Sequence, residues 1–283
     1  ELEQILMRIG CQDAEWVQFF QTIIGYSTTG ETSSQLFFNW LGPRGSNGKG
    51  LLTRCLQAVL GRFLLTLSKG LVIAPRRAID NPEGPTAFTH VLKYGRFGTA
   101  SEKQLGDEFN TSMIKRVSGE DTISSRRMRE NPEEFNTQQK LHLQTNVLAR
   151  FPNADKAFLR RLVVLPFLAL FVPTEQEKKN KEDALELKRA LRGGTDLSNP
   201  EYTHVYVGDP ALEDRIKTGR LRSYFFSWVV DGAIRYYQEG LKASQAPMCM
   251  RQFQQRLVLE QDVIGSFLDD CVTQTNNKHD KIQ

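Results

Sequence analysis

Along this chain the apolar positions keep two rhythms that take turns. Strand-like runs rich in β-branched, aromatic and leucine residues stand at 35–41, 63–67, 96–100, 140–145 and 162–167. Between them helical spacing covers 48–60, about 86–93 and about 107–117, and a hairpin is expected between Thr122 and Phe135. Such alternation predicts an α/β core of three layers. Ahead of it, residues 1 to about 30 read as short amphipathic helices, with Trp16, Phe19, Phe20 and Ile23 on one side of a helix expected to stop near Gly25. Beyond about residue 173 the sequence turns charged and helical, interrupted by Gly193-Gly194 and the turn-rich stretch to 200. The organisation expected is a helical, collar-like segment over 1–34, a core over 35–172 and a helical region over 173–283.

With 283 residues, 40% hydrophobic and 25% charged, the chain can bury a sizeable core, and disorder is not its default. A net charge of +4 permits nucleic acid as a partner without arguing for it, so the distribution matters more. Arginines gather at Arg126, Arg127 and Arg129 and at Arg160 and Arg161, whereas the mixed run from Lys178 to Glu182 reads as a solvated helix face. Cys11, Cys55, Cys249 and Cys271 are far apart and have no metal-ligand spacing, which points to a reducing compartment such as the cytoplasm. No apolar run approaches the ~20 residues needed to span a bilayer, and no membrane partner is expected. The chain begins at Glu1 without a methionine and is expected to be a piece of a longer protein.

The stretch Gly42-Pro43-Arg44-Gly45-Ser46-Asn47-Gly48-Lys49-Gly50 lies between a strand and a helix, the setting of a phosphate-binding loop. Glycines let the backbone wrap an anion, the N–H groups and helix N-terminus face the phosphates, and Lys49 reaches the β- and γ-phosphates. The candidate nucleotide contacts are Gly45, Ser46, Asn47, Gly48, Lys49, Gly50 and Leu51. Two positions depart from G-x-x-x-x-G-K-[ST]. Pro43 occupies the register of the first glycine, and Gly50 stands where Ser or Thr would offer Mg²⁺ a hydroxyl, leaving water or Thr53 as substitutes.

Such a loop calls for an acid on a neighbouring strand. Glu102, closing the strand that ends at Ser101, answers as base and, with Ser101, as metal ligand. Asn146, following 140–145, would lie at the same carboxyl edge and can orient the attacking water. Arg160 and Arg161, directly before 162–167, are candidates for an arginine that reaches into a neighbouring subunit's site, Arg161 first because it abuts the strand.

Five segments in this order, Gly45–Gly50, Gly95–Glu102, Ile114–Arg126, Lys140–Asn146 and Phe158–Phe167, resemble the motifs of superfamily 3 helicases of the phage and plasmid primase-helicase type, related to the poxvirus primase-helicases. Residues 25–32 and Trp228–Leu241 extend the resemblance over most of the chain. It implies AAA+-type subunits in a ring, usually hexameric, hydrolysing ATP with Mg²⁺ at subunit interfaces and moving 3′ to 5′ on single-stranded or forked DNA. It also implies a channel hairpin, here Thr122–Lys140 with Arg126, Arg127 and Arg129, and second-rank contacts from Lys115 and Arg116. Read as a strand, that segment would put Arg127 and Arg129 on one face and Arg126 on the other. A primase-polymerase preceding this fragment is the matching expectation. The rival readings are a P-loop kinase acting on a small molecule and an origin-binding or clamp ring in which nucleotide only sets assembly.

Overall fold

The structure, a computed structural model, describes residues 1–42, 45–74, 87–101, 107–126, 129–151, 156–192 and 202–261. The chain opens with α1 (Leu2–Ile9) and α2 (Ala14–Thr28), enters β1 (Phe37–Leu41) and turns through the glycine loop into α3 (Lys49–Leu60). Next come β2 (Leu64–Thr66), α4 (Ala87–His90), β3 (Phe97–Ser101), α5 (Thr111–Ser118), β4 (Thr122–Ser125), β5 (Glu133–Asn136), β6 (Lys140–Thr145), α6 (Lys156–Leu159) and β7 (Leu162–Pro166). The remainder forms β8 (Ala169–Val172), α7 (Glu175–Arg192), β9 (His204–Val207), α8 (Leu212–Thr218), α9 (Leu221–Glu239) and α10 (Met248–Gln261).

Five strands make one parallel sheet in the order β2-β3-β6-β1-β7. Because β6 lies between β1 and β3, the carboxyl ends of all three converge, which is where open α/β sheets hold ligands. Side chains alternate along β1: Phe38 and Trp40 pack with α1, α2, α3, α8 and α9, while Phe37 and Leu41 pack with α5, α6 and α10. The result is the three-layer α/β core that the apolar rhythm predicts, P-loop ATPase-like as the glycine loop implies, and each strand-like run forms its strand to within two residues.

Three details differ from the sequence expectation. Helix α2 passes Gly25 and ends at Thr28. Gly25 is a packing residue, since a Cβ there would sit 2.0 Å from the Ala233 nitrogen on α9, and one on Gly232 would sit 2.1 Å from the Gln21 oxygen. Helix α5 begins only at Thr111, because the Asn110 side chain accepts from the Met113 N–H at 3.1 Å and caps it there. In the region read as wholly helical, β9 pairs in parallel with β8, and α7 supplies the crossover that parallel pairing requires.

Strand β6 is central yet carries Lys140, His142 and Gln144 in alternation, followed by Asn146, whereas such strands are ordinarily apolar on both faces. Lys140 donates to the carbonyls of Thr29 and Gln138 near the end of α2. His142 receives the Trp40 Nε1–H on Nδ1 at 3.1 Å, so its proton sits on Nε2, facing Ser27 Oγ at 2.8 Å. Burial holds that imidazole well below its usual pKa and therefore neutral.

The β7 edge is blunted. The Gln254 amide accepts from the Val164 N–H and donates to the Leu162 carbonyl, both at 2.9 Å. Pro166 has no N–H to offer, and its carbonyl accepts from Trp16 Nε1 at 3.2 Å. Among the described residues no helix is long and apolar enough to cross a membrane.

Candidate active site

The glycine loop closes on itself through contacts only glycine allows. Gly48, at the N-cap of α3, has φ +88°, and Ser46 precedes it at φ +58°. A Cβ at Gly42 would lie 2.1 Å from Asn47 Nδ2 and 2.6 Å from Lys49 Nζ, so that glycine admits both side chains. Buried Asn47 receives the Lys49 N–H at 3.4 Å, and among the described residues no other side chain caps the helix start. The first turn of α3 thus offers N–H groups suited to an anion. Pro43 lies outside the described residues.

Lys49 is only 7% exposed, and its ammonium donates to the Gly42 carbonyl at 3.2 Å and to Asn146 Oδ1 at 3.3 Å. Burial pushes its pKa from 10.5 down to about 8. The two residues are 97 positions apart in sequence, and the β6–β1 pairing brings them together.

Ser101 stands exposed at the end of β3, opposite Gln144 on β6. Glu102, the expected base and metal ligand, lies outside the described residues. The Thr53 hydroxyl, a candidate substitute at the metal, donates to the Lys49 carbonyl at 3.1 Å and accepts from Gln144 Nε2. Its hydrogen is thereby committed within the loop helix. Among the described residues no group of three or more His, Cys, Asp or Glu is arranged to hold a metal.

Sequence reasoning missed the far wall. Beside the loop lies a cavity of about 510 Å³, lined by Ile5, Arg8 and Ile9 of α1, by Ser46, Asn47, Gly48, Gly50 and Leu51, by Phe171, and by Val207 to Asp209. The Phe171 N–H donates to the Ser46 carbonyl at 2.7 Å, so β8 is fastened to the loop itself. Arg54 pairs with Glu213 at 2.7 Å, and Arg215 pairs with Asp209 and with Glu1, forming a charged rim. Residues this distant leave no local spacing signal. A faint one was the pairing-prone run around Phe171.

Arg160 and Arg161 sit at the opposite, amino edge of the sheet and so cannot serve their own loop. Arg161 is buried and donates to the Ala157 carbonyl at 2.8 Å and to Gln35 Oε1 at 3.1 Å. Arg160 is exposed, with one bond to Gln35 at 3.4 Å. In the hairpin, β4 stops at Ser125, so Arg126 and Arg129 belong to the connecting turn and do not alternate along a strand. Both are exposed, Arg129 at φ +65°; Arg127 lies outside the described residues. Lys115 and Arg116 lie partly buried on α5, Arg116 donating to the Thr122 carbonyl at 3.4 Å.

No protein-family model matches the chain. Over 198 residues, 69% of its length, it is 29% identical to an Acanthamoeba polyphaga mimivirus protein bearing the name "Putative helicase L207/L206". The chain spans only 20% of that relative. Among solved structures, the apo NrS-1 C-terminal region (residues 305–718) matches with a TM-score of 0.58 at 12% identity, over 95% of this chain and 54% of that one. An A-form apo structure of the same region gives 0.52 at 12% identity, over 95% and 56%. In sequence the domain resembles part of that viral protein, and its fold is shared with the NrS-1 C-terminal region.

Proposed function

We propose that this domain is the ATP-hydrolysing motor of a DNA helicase of the superfamily 3 type. The observation that carries the reading is Lys49, buried at a glycine-lined helix start and bonded to Asn146 at the end of a neighbouring strand. Bound ATP supplies the γ-phosphoryl group, and Mg²⁺ neutralises charge on the phosphate oxygens. The glycine cradle fits a triphosphate. For the metal, Ser101 is the one proposed ligand among the described residues, with Glu102 beside it in sequence.

In this reading the N–H groups of Gly45 to Lys49 hold the phosphates and Lys49 supplies positive charge. Asn146 orients the attacking water, and Glu102 takes its proton. The cavity between α1 and the β8–β9 pair accepts the base and sugar. Arg160, exposed at the far edge, reaches the site of the next subunit in a ring, while Arg161 braces it through their shared partner Gln35. The exposed turn arginines Arg126 and Arg129, with Lys115 behind them, contact the DNA backbone, and movement is 3′ to 5′. The test is ATP hydrolysis with and without single-stranded DNA, for the wild type and for Lys49→Ala. Turnover that rises with DNA and vanishes in a folded Lys49→Ala protein is expected. Unchanged turnover in that variant overturns the reading, and turnover indifferent to DNA favours a small-molecule kinase.

A further inference from the structure

Gln144 stands where side chains of the loop helix, the β3 strand and the β6 strand meet. It stands on β6, on the face that carries α3, two residues before Asn146, which follows the end of the strand. Both hydrogens of its amide are donated, one to Thr53 Oγ1 on α3 and one to Thr99 Oγ1 on β3 at 3.3 Å. Thr53 passes the connection on, since its own hydroxyl donates to the Lys49 carbonyl. Lys49 is therefore gripped twice from this side of the sheet: at its backbone through Gln144 of β6 and Thr53, and at its ammonium through Asn146, just past the end of β6. A central strand ordinarily carries apolar residues on both faces, so the glutamine's distinctive contribution is these two bonds.

We infer that Gln144 is a positioning residue for hydrolysis, holding the loop helix in register with Ser101 at the end of β3 and with Asn146 just beyond β6. The inference rests on the proposed ATP hydrolysis at this site. Gln144 touches no phosphate; it acts on the distance between Lys49 and Asn146 through Thr53. Its loss should therefore weaken the reacting geometry more than ground-state binding.

Steady-state ATP hydrolysis under saturating single-stranded DNA tests this, with thermal unfolding recorded for each protein. Gln144→Met keeps length and removes both donors, Thr53→Val cuts the relay, and Thr53→Ser retains it. Gln144→Met and Thr53→Val are each expected to lower kcat by roughly tenfold while KM stays within about twofold. Thr53→Ser should return to the wild-type rate, and the double variant should be no slower than the worse single one, because both cut the same chain of bonds. Should Gln144→Met fail to fold, Thr53→Val against Thr53→Ser carries the comparison. Unchanged kcat, additive losses, or a loss in KM alone would overturn the inference. A wild type without turnover removes this inference and the proposed function together. An active wild type with an indifferent Gln144→Met removes only this one.

Discussion

Replacing Lys49 by Met should make the protein more stable while abolishing its proposed activity. Burial lowers the Lys49 pKa from 10.5 to about 8, and at about 1.4 kcal/mol per pH unit this makes the folded ammonium unfavourable by about 3 kcal/mol. Methionine fills a similar volume without that charge but leaves the buried Gly42 carbonyl without its donor, a loss of about 1 kcal/mol. A net gain of about 2 kcal/mol at pH 7 follows, read as a higher urea midpoint at unchanged slope. The gain has a definite pH window. Below about pH 8 the lysine is protonated in both states and the penalty is complete. Between pH 8 and 10.5 the folded protein releases the proton first, so the penalty shrinks, and above 10.5 it is gone. Urea titrations of both proteins at pH 7 and pH 10 check this, since all other titrating groups are common to the pair. A Lys49→Met protein less stable than wild type at pH 7, or a gap that does not narrow by pH 10, refutes the reasoning.

Gly232→Ala should cost at least about 3 kcal/mol in denaturant unfolding, because its Cβ would meet the Gln21 backbone at 2.1 Å and force α2 and α9 apart; a loss under about 1 kcal/mol would show that the crossing yields easily. Doping wild-type protein with Arg160→Ala subunits should lower hydrolysis more steeply than dilution, and a proportional fall would mean self-contained sites. Arg161→Ala should instead lose about 1–2 kcal/mol of stability, as the buried guanidinium's bonds to Ala157 and Gln35 go, and an unchanged unfolding midpoint would contradict this. Arg126→Ala with Arg129→Ala should flatten the salt dependence of single-stranded DNA binding by about one unit of log–log slope for each phosphate no longer neutralised, and an unaltered slope takes this turn out of the DNA path.

The legible parts of the fold were those whose cause is local. The β1 strand, the Gly48-Lys49 helix start and the apolar 162–166 run each carry their own signal within a few residues. The start of α5 was read about four residues early, because the helical spacing runs on past the Asn110 cap that begins the helix at Thr111. Gly25 looked like a stop because the residue that explains it, Gly232, is on another helix near the end of the chain. The wall of the cavity was invisible for the same reason, being assembled from α1 and from Phe171 and its neighbours. Gln144 was hidden differently. Its polar alternation with Lys140, His142 and Asn146 stood in plain view, but only the position of β6 in the middle of the sheet makes that alternation unusual.

The blunted edge at β7 bears on how copies of this domain can meet. Gln254 imitates a sixth strand over Leu162 and Val164, and the proline and indole at Pro166 finish the disguise. At the other margin β2 is only three residues long. Among the described residues a neighbour therefore finds the β7 ladder occupied and only three residues of ladder at β2, too little to zip the sheet into a continuous belt. Copies that touch along these margins do so through side chains alone. In the proposed ring such contacts can be broken and remade one at a time, letting each subunit tilt against the next without tearing a shared sheet.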